Sequence, residues 1–139
     1  MPSIVIPFQP RLIRTAEADV ITRLLQIAHA PPRLGLLSSI HTLVVRDRCD
    51  CGQYGYGPCD SIFFDNPHDL GRPIASGIGY IRKNSAVELI VWARGDIITY
   101  LELEPFNGAR RPISLPLVGT IQSYPEELGE EPEDDEDNA

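Results

Sequence analysis

The chain has 139 residues, 42% of them hydrophobic, and a formal net charge of −8. That length and apolar content fit one domain with a single core. No apolar run is long enough for a membrane span, and only 12 basic residues leave no footprint for nucleic acid. Three cysteines, Cys49, Cys51 and Cys59, are too few and odd in number for a secreted disulfide framework, and no signal-peptide pattern opens the chain. The expected location is therefore the cytoplasm.

In chain order, residues 1–10 are apolar and punctuated by proline, and Ile4-Val5-Ile6 reads as a short edge strand stopped by Pro7. Thr15 reads as an N-cap, with Glu17 and Asp19 in a first turn where the helix dipole favours them. Val20, Ile21, Leu24, Leu25, Ile27 and Ala28 then recur at helical spacing up to Pro31-Pro32. This predicts a helix from Ala16 to Ala30 with one broad apolar face lying on a sheet. Ile40–Arg48 alternates as a strand, with a helical turn over Leu36–His41 as the competing reading. Ser61–Asp65 is a short strand, and the NPHDLGRP run after it is a loop. Ala75–Arg82 reads as a strand whose two glycines, Gly77 and Gly79, mark a bulge or a close backbone approach.

The strongest signal is Ala86–Pro105, AVELIVWARGDIITYLELEP, two β-branched and aromatic runs meeting at Arg94-Gly95-Asp96. A two-residue Gly95-Asp96 turn would pair Ala93 with Ile98 and Leu89 with Glu102, mixing apolar and acidic groups on one face. A three-residue turn pairs Ala93 with Ile97, Val91 with Thr99, Leu89 with Leu101 and Val87 with Leu103, which leaves one face nearly free of polar groups. The three-residue turn is the expected one. The opposite face then carries Glu88, Ile90, Trp92, Ile98, Tyr100, Glu102 and Glu104. Phe106–Pro116 is an irregular return with an Asn107-Gly108 turn, and Leu117–Tyr124 is a last short apolar stretch.

One helix followed by strands on short connections predicts an α+β fold: an antiparallel, meander-like sheet with the N-terminal helix packed on one face. The domain is expected over residues 1–125. Residues 126–139 hold nine acidic side chains and no basic one, so the body without them carries 11 acidic and 12 basic groups. That tail repels itself, has little to bury and is expected to be disordered.

The chemistry is sparse. Cys49, Cys51 and Cys59 could bind zinc with His68 or His41 as a fourth ligand, but a C-x-C spacing with no second C-x₂-C pair argues against it. No metal and no cofactor is expected. If there were a metal, its ligands would come from Cys49, Cys51, Cys59 and His68. Glu88, Glu102 and Glu104 form a solvated sheet face more readily than an acid–base site. No nucleophile elbow, phosphate-binding loop or dinucleotide fingerprint is present, so no enzyme is expected. The Gln53–Pro58 loop carries Tyr54 and Tyr56 among glycines, a composition suited to protein contact.

The order RCDCG, CDSIFF, a variable loop, VELIV, an RGD turn and YLELE before an LP segment resembles a family of small uncharacterised bacterial proteins. Its members carry a compact RCGCGCPS-like run and a VRDGRLSSLEVY-like hairpin. The likeness runs from Leu36 to Tyr124, with Arg48–Phe64 and Glu88–Leu103 as the two matching blocks. This chain inserts Gln53–Gly57 between its second and third cysteines, and it reads Gly-Asp at the turn where the family tends to Asp-Gly. The resemblance implies a fold and brings no activity with it.

The expected function is therefore a non-enzymatic protein-interaction module, in its specific form an immunity or antitoxin protein that neutralises a basic toxin. Its expected contact residues are Tyr54, Tyr56, Trp92, Tyr100, Glu102 and Glu104. The alternative is a metal- or thiol-dependent sensor built on Cys49, Cys51 and Cys59.

Overall fold

A computed structural model describes residues 8–28, 34–49, 59–82, 85–106 and 114–123. The expected edge strand at Ile4–Ile6, the Asn107-Gly108 turn and the tail 126–139 lie outside the described residues. The elements are β1 (Arg11–Leu12), α1 (Thr15–Gln26), α2 (Leu34–Ser39), a 3-10 turn (Ile40–Thr42), β2 (Val44–Val45), β3 (Asp47–Arg48), β4 (Ile62–Phe63), β5 (Arg72–Arg82), β6 (Ser85–Arg94), β7 (Ile97–Phe106) and a second 3-10 turn (Val118–Thr120). β1 and β2 make a two-stranded ribbon, and the others form a five-stranded antiparallel sheet in the order β3-β4-β7-β6-β5. The fold is α+β with a meander-like sheet, as the sequence predicts. Among the described residues no helix is long and apolar enough to cross a membrane.

The helix α1 starts one residue earlier than expected and ends sooner, with Ile27 as its C-cap. Arg14, in extended backbone, occupies the N-cap position in place of Thr15. Its N–H donates to Oε1 of Glu17 at 2.9 Å, which satisfies one of the donors a helix start leaves orphaned. Glu17 is buried, and Arg11 grips both of its oxygens, at 2.9 and 2.7 Å. Burial pushes this carboxyl up, but the Arg11 bonds, the Arg14 N–H and the guanidinium charge outweigh it and hold the group below its ordinary range. Ala18, Val20, Ile21, Leu24 and Leu25 face the sheet, and the second helix, α2, adds Leu36 to the same core. The helical alternative for Leu36–His41 is the one adopted, so the strand expected over Ile40–Arg48 is reduced to β2 and β3.

The β6–β7 hairpin corrects the expected turn. Arg94 pairs with Ile97 and Ala93 with Ile98, a two-residue turn with Gly95 at φ +63°, the left-handed backbone such tight hairpins require. The apolar face survives because Thr99 is an extra residue: the ladder jumps from Ala93–Ile98 to Trp92–Tyr100. This β-bulge puts Val91 opposite Leu101 in place of the expected Thr99, Leu89 opposite Leu103 in place of Leu101, and Val87 opposite Pro105 in place of Leu103. Inner residues Val87, Leu89, Val91, Leu101 and Leu103 are buried as expected. Ile97, expected inside, is 49% exposed, and Ile98, expected on the outer face, is 1% exposed. The bulge turns both Ile98 and Thr99 inward. It also anchors the loop after β4: the Thr99 hydroxyl donates to the Leu70 carbonyl at 2.6 Å, and the Phe64 N–H donates to the Thr99 carbonyl at 2.8 Å.

The two glycines of β5 are places of close approach. A Cβ on Gly77 would stand 2.8 Å from the Gln122 carbonyl oxygen and 3.0 Å from Leu24, and one on Gly79 would stand 2.7 Å from Pro116. The segment 114–123 uses that space to cover the β5 edge. Ile78 and Gln122 exchange backbone hydrogen bonds at 2.9 Å, Leu117 donates to the Tyr80 carbonyl at 3.1 Å, and Ile121 enters the core. At Ile78 and Tyr80 the edge is therefore closed to pairing with another chain.

Candidate functional site: the outer face of the sheet

Inward alternation on β6 and β7 sends the other half of each strand to the opposite face, where no described helix packs. Glu88, Ile90 and Trp92 come from β6, and Tyr100, Glu102 and Glu104 from β7. The four candidate contact residues on this hairpin, Trp92, Tyr100, Glu102 and Glu104, therefore share one face. Tyr54 and Tyr56 lie outside the described residues.

The pairing of β4 with β7 adds what the sequence did not reveal. Ile62 opposite Leu101 and Phe63 opposite Tyr100 place Phe63 on the outer face, where the two rings stack 4.2 Å apart at 4°. Ser61 is buried one step further along. Its Oγ accepts from the Leu103 N–H at 2.8 Å and from the Cys59 thiol at 3.2 Å, and donates to the Leu103 carbonyl at 3.2 Å. Cys49 donates its N–H to the Ser61 carbonyl at 3.0 Å. Cys49, Cys59, Ser61, Tyr100, Glu102, Leu103, Glu104 and Pro105 thus line one recess of about 230 Å³. The SIFF run carried the only hint in the sequence, since its alternation puts Ser61 and Phe63 on one side without naming their neighbours.

The electrostatics are acidic. Glu88 stands directly opposite Glu104 and Glu102 opposite Ile90. The Trp92 indole Nε1–H donates to Oε1 of Glu102 at 2.9 Å. Burial, a hydrogen bond with Glu104 and repulsion from Glu104 and Glu88 push the Glu102 carboxyl up to about 7, against the opposing Trp92 bond. Burial, Glu102 and the nearby thiols raise the Tyr100 phenol above its usual range. A carboxyl titrating near neutrality can take up and release a proton, and the phenol beside it stays protonated.

Among the described residues no group of three or more His, Cys, Asp or Glu is arranged to hold a metal ion. Cys51 lies outside them. His68 is exposed in the loop after β4, its N–H donating to Asn66 Oδ1 at 2.9 Å. That loop is pinned near the β6–β7 turn by Arg94, which reaches Asp65 at 2.6 Å and the Asp69 carbonyl at 2.9 Å. Cys49 and Cys59 sit at the far end of the hairpin, beside Leu103 and Pro105, so the structure does not bring His68 to these two. His41 is exposed on the 3-10 turn. Compared with known proteins, the chain matches no family model, no curated protein and no solved structure.

Proposed function

We propose that the protein is a non-enzymatic protein-binding module whose contact surface is the outer face of β6, β7 and β4. The observation that carries this reading is the composition of that face: Ile90, Trp92 and the Phe63–Tyr100 stack lie partly exposed side by side, bordered by Glu88, Glu102 and Glu104. Aromatic anchors with a charged border are the usual make-up of a protein contact. The anionic border favours a basic partner, and an immunity-type protein that neutralises a basic toxin is the specific form proposed. The acidic 126–139 segment supports that form, because its charge would speed encounter with a cationic surface.

Site-specific photo-crosslinking in the native cell tests the reading. A crosslinking residue at Ile90 is expected to yield one stoichiometric protein adduct, and the same residue at Leu12, exposed on β1, none. Adducts at Leu12 alone, or at neither position, would end it.

A thiol-dependent sensor is the second reading, favoured by Cys49 and Cys59 opening on the same recess. Under that reading mild oxidation with a small disulfide alters both the thiols and the Trp92 fluorescence. An oxidised chain with unchanged Trp92 emission would dismiss it.

A further inference from the structure

Glu88, Glu102 and Glu104 gather at neighbouring cross-strand positions, and like charges placed opposite one another destabilise a ladder. The ion pairs among the described residues join Arg11 to Glu17 and Arg94 to Asp65 and Asp69, and they leave these three carboxylates out. Beside two of them opens the recess, lined by Tyr100, Pro105 and the Cys59 thiol together with Glu102 and Glu104, while Leu103 offers it only backbone because its side chain is in the core. Its 230 Å³ falls below the roughly 300–1,000 Å³ of pockets that hold small-molecule ligands. A ring, a proline and a thiol beside two carboxyl groups suit an aliphatic stem with a cation at its tip, which is how lysine and arginine divide between apolar surface and polar surroundings.

We infer that the recess receives one lysine or arginine side chain of a basic protein partner docked on the outer face, with Glu102 and Glu104 as its counter-charges. The inference rests on the protein-binding reading above and supplies the partner's chemistry.

A consequence for pH follows. The groups facing Glu102 are Glu104 and Tyr100 on β7, Glu88 and Trp92 on β6, and Cys49, Cys59 and Ser61 from the β3–β4 side. Its carboxyl is pushed up to about 7, so near neutral pH it is partly protonated. An entering ammonium pairs with the carboxylate, and the displaced proton leaves to the buffer. Affinity therefore rises by about tenfold between pH 6 and pH 8.

Trp92 is the chain's one tryptophan and is bonded to Glu102, so its indole N–H resonance reads the recess directly. The probe is an N-acetylated octapeptide of alternating phenylalanine and lysine, titrated into the full-length protein beside a counterpart with citrulline for lysine. The lysine peptide is expected to bind about tenfold tighter at pH 8 than at pH 6 and to shift the Trp92 indole resonance, and the citrulline peptide to do neither. Glu102→Gln should abolish the pH dependence, and Glu104→Gln should weaken binding at both pH values. Equal affinity at the two pH values, or equal binding of the two peptides, overturns the cation receptor and leaves the docking face intact. No binding, or binding that leaves the Trp92 resonance unmoved, overturns it too. The Ile90 crosslink then decides separately whether the face itself is an interface.

Discussion

Trp92 and Glu102 meet diagonally across the β6–β7 ladder, the indole Nε1–H donating to the carboxylate at 2.9 Å. The bond orients an acid that burial and two neighbouring carboxylates would keep protonated, and it ties the chain's one tryptophan to that acid's charge.

Glu102 should cost stability in its ionised form. A carboxyl raised in the folded state to about 7, from about 4.3 when unfolded, binds its proton more tightly folded than unfolded. Stability is then highest below pH 4 to 5 on this account and falls as pH rises through 7. Glu102→Gln mimics the protonated acid and keeps an acceptor for Trp92. Urea denaturation should find the variant more stable by about 2 kcal/mol at pH 8, the shift being discounted for the part-exposed carboxyl, and level with the parent only below about pH 4. A constant difference across that range would rule the argument out.

Glu17 should behave in the opposite sense. Its folded value lies below the unfolded one, so the Arg11 pair stabilises above about pH 4.3, and that contribution is lost as pH falls through the folded value. Arg11→Met leaves a buried carboxylate without its cation and is expected to cost about 3 kcal/mol at pH 7. The loss should shrink towards pH 3. Chemical denaturation at the two pH values measures it.

Gly77 and Gly119 form a matched pair of tests. Alanine at Gly77 would push a methyl against the Gln122 carbonyl and Leu24, and alanine at Gly119 meets open space. The expected losses are about 1–3 kcal/mol for Gly77→Ala and under about 0.5 kcal/mol for Gly119→Ala. Thermal melts of both variants check the contrast.

The corrected hairpin makes a sharp comparison between two apolar residues of one strand. Leu101 is fully buried and Ile97 is 49% exposed. Leu101→Ala should cost about 2–5 kcal/mol, and Ile97→Ala should stay within about 0.5 kcal/mol. Comparable losses would contradict the outward placement of Ile97.

The inner face was legible because burial acts on side-chain alternation, which Val87, Leu89, Val91, Leu101 and Leu103 display openly. The turn was misjudged because two solutions satisfy the same alternation, and only the bulge at Thr99 separates them. That bulge is held by Leu70 and Phe64, partners remote in sequence. The recess was hidden for a similar reason. Glu102 and the cysteines become neighbours only once β4 pairs with β7, and nothing in the short SIFF run announces its partner strand. The Arg11 grip on Glu17 was missed because a first-turn glutamate is explained well enough by the helix dipole.

The Thr99 bulge also makes this tip indifferent to odd and even counts. One residue bulged out of the ladder is what lets a two-residue turn coexist with the inward set Leu89, Val91, Leu101 and Leu103. Burial and strand pairing hold the faces, not the number of residues in the tip. Foreign peptides spliced between Gly95 and Asp96 should therefore be accepted in odd and even lengths alike.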